Sequence, residues 1–354
     1  MNWFKRLLYR PFFIRLFYWE YWSFHVIYFP IYIVWIGLCV LARSFFFFAA
    51  SNPGFKNGGY LGESKKDIYP LLPGDCSPPT LFFPLTAGFA EVLFQVKKEK
   101  LSYPLIGKPD IGSRGRGIKK IPDEDALKSY VSEAILDFHI QEFISYPWEV
   151  GIFYYRYPNR EKGNISGIVQ KHFLSLTGDG KSDMNALIEK NKRAILQKKT
   201  LWQLYGEGLN RVLAEKEEFI LAPYGNHVRG AMFLDETRLA DEALVGRIDS
   251  LCKRIPGFYF GRLDIRYRDW EALKTGQDFS LIEVNGAGSE PTHIYDPKHS
   301  IFFAWKEIIR HWIILWKISR QNHRRGFPYL TVKQGIAMFR EDAKNSAKLA
   351  EWKP

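Results

Sequence analysis

Residues 257–288 read GFYFGRLDIRYRDWEALKTGQDFSLIEVNGAG and contain two apolar, strand-like runs. Asp264 lies near the end of the first run, and Glu283 and Asn285 stand two positions apart in the second. Side chains two positions apart in a strand point to the same face of a sheet. Carboxylate and amide oxygens are the ligands that Mg²⁺ prefers, whereas buried acids without a cation repel one another and protonate. This stretch therefore predicts a metal site on a β-sheet.

A second stretch, residues 104–118, reads PLIGKPDIGSRGRGI. A predicted strand carries Lys108, and a loop rich in glycine and arginine follows it. Glycines let backbone N–H groups converge on phosphate oxygens, and a lysine adds a positive charge for the same group. The spacing matches neither the P-loop nor the dinucleotide-binding fingerprint, so taken alone it indicates only a turn.

A third stretch, residues 140–156, reads IQEFISYPWEVGIFYYR. Glu142 and Glu149 stand seven positions apart across a turn that contains proline. Taken alone, both are ordinary glutamates at the ends of surface strands.

The body of the chain alternates between strand-like and helical patterns after a turn-rich linker at 51–59. Such an alternation predicts an α+β or α/β body with antiparallel sheets and helices on their faces. The predicted strands lie at 81–85, 104–108, 140–144, 150–155, 165–172, 259–266 and 279–285. The predicted helices lie near 86–99, 123–136, 182–197 and 236–254.

Together these stretches resemble the ATP-grasp superfamily, most closely its D-alanine–D-alanine ligase-like members. The resemblance covers about residues 61–297 and rests on four segments in the family's order: GKPDIGSRGRGI, QEFISYPWE, GRLDIR and LIEVNGAGS. It implies an α+β ATP-grasp fold, in which two α+β subdomains grip ATP. To this fold the chain adds an aromatic helical N-terminal segment and a C-terminal amphipathic helix.

The resemblance implies a nucleotide site. Lys108 would hold the phosphates under a lid loop, Glu142 with the backbone of Phe143 and Ile144 would meet the adenine edge, and Glu149 would meet the ribose. Lys65 and Lys66, in GESKKDI, compete for a further phosphate contact. The full predicted set is Lys66, Lys108, Gly112, Ser113, Arg114, Gly115, Gly117, Glu142, Phe143, Ile144 and Glu149.

The resemblance also implies a metal site and a reaction. Asp264, Glu283 and Asn285 would ligate two Mg²⁺ ions, or Mn²⁺, beside the nucleotide, while Arg262 and Lys171 would be catalytic. The γ-phosphoryl group of ATP would pass to a carboxylate, and an amine would then attack the acyl phosphate. No serine or cysteine nucleophile is needed for this chemistry.

The chain departs from the D-alanine type in two places. Only 107 residues precede Lys108, and about half of them form the aromatic N-terminus. An insert at 268–278 separates the two strands of the metal site. The binder of the substrate carboxylate is therefore not placed, although the loop around Ser289 is a candidate for contacting the acceptor, and D-alanyl-D-alanine synthesis is not predicted.

The charge of the chain is unevenly distributed. The formal net charge is +12, of which residues 1–50 carry +4 and residues 298–354 carry +8, so the body between them is neutral. The three cysteines, Cys39, Cys76 and Cys252, are far apart and lack a CxxC pair, which is typical of free thiols in a reducing compartment. A neutral body is unlike that of a nucleic-acid-binding protein.

Two terminal segments leave alternatives open. The apolar run from Phe24 to Leu41 is at the short end for a membrane span, and it either contacts a membrane or packs as an aromatic core helix. The segment at 300–325 has apolar residues at helical spacing with basic residues between them. It either lies on an anionic membrane surface or packs as a core helix with a basic outer face.

The leading hypothesis is an ATP- and Mg²⁺-dependent carboxylate–amine ligase, cytoplasmic and peripheral on the inner face of the membrane, with a lipid-linked or amphiphilic substrate. The alternatives are a soluble ATP-grasp ligase, a kinase-like phosphotransferase acting on a small metabolite, and a non-catalytic nucleotide- or nucleic-acid-binding module. The predicted domains are 1–50, an aromatic and basic segment; 51–100, a linker and pre-grasp region; 101–297, the ATP-grasp domain; and 298–354, a basic helical region.

Overall fold

The computed structural model describes residues 10–112, 115–222 and 225–352, so the predicted site residues Ser113 and Arg114 lie outside the described residues. Its helices are α1 Pro11–Phe17, α2 Phe24–Tyr28, α3 Tyr32–Ala42, α4 Lys65–Ile68, α5 Phe89–Lys98, α6 Glu124–Glu133, α7 Met184–Lys190, α8 Lys192–Leu196, α9 Lys198–Tyr205, α10 Glu242–Lys253, α11 Trp270–Thr275, α12 Ile301–Arg324 and α13 Val332–Glu351. Its strands are β1 Thr80–Phe83, β2 Leu105–Pro109, β3 Lys119–Ile121, β4 Phe138–Glu142, β5 Trp148–Tyr155, β6 Asn164–His172, β7 Leu174–Thr177, β8 Glu218–Ala222, β9 Met232–Asp235, β10 Phe260–Tyr267 and β11 Phe279–Asn285.

The chain divides into two compact units. The first unit comprises Met1–Tyr32, Val169–Asp235 and Thr292–Glu307, and the second comprises Ile33–Ile168, Glu236–Pro291 and Ile308–Pro354. Both units combine helices with antiparallel strand pairs, which confirms the α+β class. The predicted domain boundaries stay a prediction.

One sheet of the second unit has the strand order β1-β4-β2-β3, and its pairs are antiparallel. Helices α5 and α6 bury Val92 and Leu127 in the same apolar cluster as Phe138 and Ile140 of β4. The carboxylate of Asp123 accepts a hydrogen bond from the Ala126 amide at 2.8 Å, which caps α6 at its start. This sheet carries Lys108 on β2.

The other sheet of the second unit contains β11, β10, β5 and the first half of β6 in that order. Ile248 and Leu251 of α10 pack with Val150 of β5 and Leu263 of β10, and all four are almost fully buried. This packing leaves the opposite face of β10 and β11 available for polar side chains, because alternate residues of a strand point to opposite faces.

Helices α12 and α13 both bury apolar residues, but at different positions along their lengths. Ile308, Leu315 and Ile318 of α12 are buried, so within the described chain this helix follows the core alternative from the sequence. Helix α13 begins with a capping box formed by Thr331 and Gln334. It buries Met338 in a cluster with residues of α3, and its C-terminal end joins the cluster of the Lys108 sheet.

In the first unit, the end of β6 pairs antiparallel with β9, and β7 pairs antiparallel with β8. The N-terminal segment is anchored there by Glu20, which is 7% exposed. Its carboxylate lies 2.5 Å from the Arg193 guanidinium and 3.2 Å from His227 Nε2. The described residues around Glu20 therefore pack as part of a folded unit.

Candidate active site

The paired strands β10 and β11 bring four of the predicted site residues together. Arg262 is the register partner of Asn285, and Asp264 is the register partner of Glu283. Each pair lies directly across the ladder, and the members of each strand are two positions apart, so all four side chains lie on one face. The face predicted from the spacing of Glu283 and Asn285 is therefore present.

On this face, Arg262 and Asp264 form a two-point ion pair. Arg262 Nε donates to Asp264 Oδ1 at 2.9 Å, and a terminal guanidinium nitrogen donates to Asp264 Oδ2 at 3.1 Å. Burial lowers the pKa of Arg262, but the nearby carboxylates, above all that of Asp264, together outweigh it, so the net pKa is raised. A guanidinium fixed in this way supplies a permanent positive charge beside the proposed oxygen ligands.

Lys108 is a buried cation held by an uncharged partner. Its side chain is 9% exposed, and its Nζ donates to Gln141 Oε1 at 2.5 Å. Gln141 is oriented in turn by donating to Thr80 Oγ1 at 2.7 Å. Burial lowers the pKa of Lys108 to about 8, against the opposing charge of Glu283. An amine held in this state is well suited to an anionic ligand.

Glu149 is buried and paired with an arginine that the sequence analysis did not single out. Its carboxylate lies 3.2 Å from Arg266 Nε, and the two residues are register partners on β5 and β10. Gly151 of β5 stands opposite Asp264 in the same ladder, so no side chain from β5 projects beside that carboxylate. The backbone position of Gly151, which has no side chain, lies between the Glu149–Arg266 ion pair and the proposed metal ligands.

The segment GESKKDI is held against the Lys108 sheet by Asp110. The Asp110 carboxylate accepts hydrogen bonds from the Ser64 hydroxyl at 2.8 Å and the Lys66 amide at 2.7 Å, and it lies 3.0 Å from His139 Nε2. Burial raises the pKa of Asp110, but these hydrogen bonds together lower it by more. The net effect is a depressed pKa. Lys65 also donates from Nζ to the Asp110 carbonyl oxygen at 3.3 Å.

The two lysines of the GESKKDI segment line two different cavities, both within the second unit. Lys65 lines a cavity of about 230 Å³ together with Glu283 and Asn285. Lys66 lines a cavity of about 350 Å³ together with Gln141, and its Nζ lies 4.3 Å from the centre of the Phe82 ring. Lys65 therefore shares its cavity with two of the proposed metal ligands, whereas Lys66 lines the other cavity.

Sequence reasoning missed Glu63 and Gln141. Glu63 lines the smaller cavity, and its Oε1 accepts a hydrogen bond from the Gly286 amide at 2.9 Å. Burial raises its pKa to about 8. Glu63 stands next to the predicted lysine segment and Gln141 next to the predicted Glu142, so proximity in sequence was the available signal.

Several predicted residues are not on the strand pair β10 and β11. Lys171 is buried on β6 in the first unit, where it is the register partner of Phe233. Glu142 is exposed at the end of β4, and the ring of Phe143 is covered by the Lys120 ammonium at 4.3 Å. The nucleotide roles of these residues and of Ile144 stay predictions.

The loop after β2, which the resemblance predicts to be a lid, has glycines in left-handed conformations and lies close to the C-terminal end of α13. Gly115 and Gly117 have φ values of 71° and 68°, which favour glycine over other residues. A side chain at Gly117 would meet Pro109 and the indole ring of Trp352, whereas one at Gly112 would lie 3.8 Å from Leu349. The described part of the loop is therefore compact and closely packed.

Among the described residues, no group of three or more histidine, cysteine, aspartate or glutamate side chains is arranged to hold a metal ion. The predicted set contains two carboxylates and one amide, and the Nδ2 atom of Asn285 is buried without a partner in the described chain. Two carboxylates and an amide oxygen on one face match the hard oxygen ligands that Mg²⁺ takes from proteins, usually with water and phosphate oxygens completing its shell. The donor set is therefore compatible with Mg²⁺.

Comparison with known proteins gives structural matches only. No family model and no curated protein matches the chain. It is similar to a bifunctional glutathione synthetase from Pasteurella multocida, with 12% identity and a TM-score of 0.40, covering 70% of this chain and 35% of that one. For the D-alanine–D-alanine ligase from Bacillus anthracis the identity is 16%, the TM-score 0.37 and the coverage 72% and 68%. For the VanG D-Ala:D-Ser ligase from Enterococcus faecalis the identity is 17%, the TM-score 0.38 and the coverage 72% and 61%.

The chain spans about a third of the length of the first of these proteins and about two thirds of the length of the other two.

Proposed function

We propose that the protein is an ATP- and Mg²⁺-dependent carboxylate–amine ligase that works through an acyl-phosphate intermediate. The observation that carries the proposal is the common face of β10 and β11, where Arg262, Asp264, Glu283 and Asn285 lie together. The negative charges of Glu283, Glu149 and Asp264 oppose the effect of burial on the pKa of Lys108, which supports a common site for these residues. Oxygen ligands, a fixed guanidinium and a buried ammonium are the groups that phosphoryl transfer from ATP requires.

Each residue has a role in this proposal. Lys108 binds the nucleotide phosphates, and Glu149, oriented by Arg266, accepts hydrogen bonds from the ribose hydroxyls. Asp264, Glu283 and Asn285 hold the metal, which when bound would neutralise phosphate charge and align the γ-phosphate. Arg262 stabilises the negative charge that develops on the transferred group. Lys171 remains a proposed catalytic residue from the sequence resemblance.

The proposed reaction has two steps. A substrate carboxylate oxygen forms a bond to the γ-phosphorus while the bond from that phosphorus to the bridging oxygen breaks, which releases ADP. The nitrogen of an amine then attacks the acyl carbon, the bond from that carbon to the phosphate oxygen breaks, and inorganic phosphate leaves. The nitrogen loses a proton to solvent or to a nearby carboxylate, and an amide remains. The protein contributes mainly by positioning the reactants and by electrostatic stabilisation.

The proposal is tested by ADP release with Mg²⁺, ATP and mixtures of amino acids, polyamines and lipid extracts, with mass detection of the product. Glu283→Gln keeps the size of the side chain but removes its charge, and we expect it to reduce ADP release at least 100-fold. The matched control is Glu271→Gln, which removes an exposed carboxylate of α11 and should leave the rate unchanged. Full activity of Glu283→Gln would refute the metal assignment.

The mass of the product also separates the ligase from the kinase-like alternative. A ligase yields an amide and free phosphate, whereas a phosphotransferase yields a stable phosphorylated product and ADP. A non-catalytic module would bind ATP without any ADP release.

We further propose that the enzyme works at an anionic membrane surface. The helical stretch Phe24–Ala42 is strongly apolar, with a mean hydropathy of 2.1, and only 28% of its most apolar part is buried. Within the second unit, α3 buries Leu38 and Cys39 but exposes Ile36 and Val40 on its other side, at 55% and 69%. A helix that is apolar all round while only one side is covered by protein requires another apolar environment.

Exposed residues of α13 extend the uncovered apolar side of α3 and add positive charges to it. The Phe46 ring lies 6.3 Å from that of Phe339 on α13, so α13 begins beside the end of α3. The exposed apolar and basic residues of these two elements, which we call the α3–α13 surface, are Ile33, Ile36, Val40, Leu41, Arg43, Phe45, Val332, Lys333, Ile336, Phe339 and Arg340. Apolar side chains mixed with basic ones match an anionic lipid surface.

Flotation with lipid vesicles tests this part. The double variant Val40→Asp/Phe45→Asp should lose binding to vesicles that contain anionic lipid, whereas Leu204→Asp, at a 61% exposed position of the first unit, should bind like the wild type. Equal binding of both variants, or no binding of the wild type, would rule out this surface.

A further inference from the structure

Helix α13 contributes one wall of the smaller cavity, although it lies outside the part of the chain that resembles the ATP-grasp family. Asp342, Asn345 and Ser346 line the cavity together with Glu283 and Asn285. The three helix residues stand at positions i, i+3 and i+4, which places them on one face of the helix. We call them the α13 stripe.

The α13 stripe is polar, and its side chains have no hydrogen-bonding partner within the described part of the chain. Asp342 and Asn345 are half-buried. Within the described residues, none of the three side chains makes a hydrogen bond or an ion pair, in contrast to the neighbouring Glu341, which lies 3.2 Å from Lys56 Nζ on the outer side of the helix. Because Asp342 and Asn345 are only half-buried and Ser346 is exposed, their polar groups meet solvent, which a ligand in the cavity can replace.

Both ends of α13 are fixed, which holds the stripe in place. Met338 is buried in the cluster that contains residues of α3, and Gly335 lies so close to Phe46 that a side chain there would meet its ring. At the other end, Leu349 and Trp352 are buried in the cluster of the Lys108 sheet, and the Trp352 ring lies 5.7 Å from that of Tyr130. A binding wall on a helix anchored at both ends is well ordered.

The charges of the cavity indicate the kind of ligand. Glu283 belongs to the proposed metal site, and among the other described residues that line the cavity Asp342 brings a carboxylate to the α13 side. The Asp342 carboxylate disfavours an anion on this side of the cavity and favours a cationic group there. A volume of about 230 Å³ leaves room for a ligand of several non-hydrogen atoms.

We infer that the α13 stripe binds the amine-bearing acceptor substrate, with the Asp342 carboxylate holding its ammonium group and Asn345 and Ser346 selecting its polar substituents. The inference rests on the proposed ligase function and adds to it the residues that bind the amine. The amine then lies beside Glu283 and Asn285, where the acyl phosphate would form. Asp342 acts by holding the acceptor and takes no part in the phosphoryl transfer.

The test compares the wild type with Asp342→Asn and with the control Glu341→Gln, which removes the adjacent outward-facing carboxylate of the same helix. The acceptor probe is a mixture of the twenty amino acids, ethanolamine, putrescine and spermidine. Hydroxylamine, a small nucleophile that is uncharged near neutral pH, is added in a parallel reaction to trap the acyl phosphate as a hydroxamate. ATP affinity is measured separately by equilibrium titration.

We expect Asp342→Asn to raise the half-saturating concentration of the acceptor mixture by about tenfold or more, because a charge-assisted hydrogen bond is lost. Its ATP affinity and its hydroxamate yield should match those of the wild type, and Glu341→Gln should be unchanged throughout. An unchanged half-saturating concentration in Asp342→Asn would overturn the inference. So would an equal loss of hydroxamate yield and ATP affinity, because it would show that Asp342 supports the fold of the site.

The outcomes for the wild type separate this inference from the proposed function. Hydroxamate formation without turnover of the acceptor mixture would overturn the amine class while leaving carboxylate activation in place. Absence of both would overturn the ligase proposal, and the inference with it.

Discussion

Replacing Lys108 by methionine should make the protein more stable and unable to bind ATP tightly. The replacement keeps the length of the side chain but removes a charge that is buried beside Gln141. Burial lowers the pKa of Lys108 from 10.5 to about 8. Holding the ammonium in the folded protein therefore costs free energy whenever the group is charged.

The size of the effect follows from that shift. At about 1.4 kcal/mol per pKa unit, burying the charge costs about 3 kcal/mol. The variant leaves Gln141 Oε1 without its donor, which offsets about 1–2 kcal/mol of the gain. We therefore expect Lys108→Met to raise the free energy of unfolding by about 1–2 kcal/mol at pH 7.

The pH dependence has a definite sign. Between about pH 8 and 10.5 the folded protein has lost the Lys108 proton while the unfolded chain still holds it, so wild-type stability rises with pH in this window. The variant lacks this gain, and its advantage over the wild type should shrink by about 2 kcal/mol between pH 7 and pH 9.5. Without the ammonium, its Kd for ATP should rise at least tenfold.

Urea denaturation at pH 7 and pH 9.5, with an ATP titration at pH 7, checks this prediction. Lys128→Met, which removes an exposed lysine of α6, is the control and should change neither quantity appreciably. A variant that is less stable than the wild type, or whose stability difference is the same at both pH values, would refute the description of Lys108 as a costly buried cation. Unchanged ATP affinity would refute its role in the nucleotide site.

Three further predictions concern other buried groups. Asn52→Ala should lower the free energy of unfolding by about 2–4 kcal/mol in urea denaturation, because Asn52 is fully buried and makes four hydrogen bonds to backbone atoms; a loss below 0.5 kcal/mol would contradict this. Glu63 has a pKa of about 8 against 4.5 in a model peptide, so wild-type stability should fall as pH rises from 5 to 8, because unfolding releases a proton in this window. Glu63→Gln should flatten that slope, and parallel curves for the two proteins would exclude the effect. Trp352→Ala should remove its packing on Tyr130 and increase proteolysis of the Lys108 sheet, whereas unchanged cleavage would mean that the end of α13 does not support it.

Local patterns were sufficient to predict the strands that form the site. The expected runs at 259–266 and 279–285 occur as Phe260–Tyr267 and Phe279–Asn285, and they pair in the register that aligns Asp264 with Glu283. Their apolar and polar residues alternate, which is the pattern of a half-buried strand. The two strands could therefore be predicted from the sequence. Three of the predicted helices are present but shorter than expected, whereas the one predicted at 182–197 is divided into α7 and α8 at Asn191, whose side chain caps the start of α8.

The partners of the site residues were not predictable in the same way. Gln141 holds Lys108 across neighbouring strands, and Arg266 holds Glu149 across another strand pair. Such contacts depend on strand order and register, which periodicity in a single sequence does not specify. The wall formed by α13 is a stronger example, because Asp342 is far along the chain from Glu283 and reaches the same cavity only through tertiary packing.

The terminal helices show a similar limit. In sequence α3 is apolar on all sides and α12 is amphipathic, and either helix could pack on protein or on a membrane. In the structure α12 buries Ile308, Leu315 and Ile318, whereas α3 leaves Ile36 and Val40 exposed. Composition indicates that an apolar environment is needed, but only the packed structure shows which side of a helix is already covered by protein.

The central claim is that Asp264, Glu283 and Asn285 form a metal-assisted ATP site with Lys108. It is tested most directly by titrating the wild type and Asp264→Asn with ATP in the presence and absence of Mg²⁺. We predict that Mg²⁺ lowers the Kd of the wild type for ATP at least tenfold and that Asp264→Asn loses this dependence. An ATP affinity that is independent of Mg²⁺ in the wild type, or a Mg²⁺ dependence that persists in Asp264→Asn, would contradict the claim.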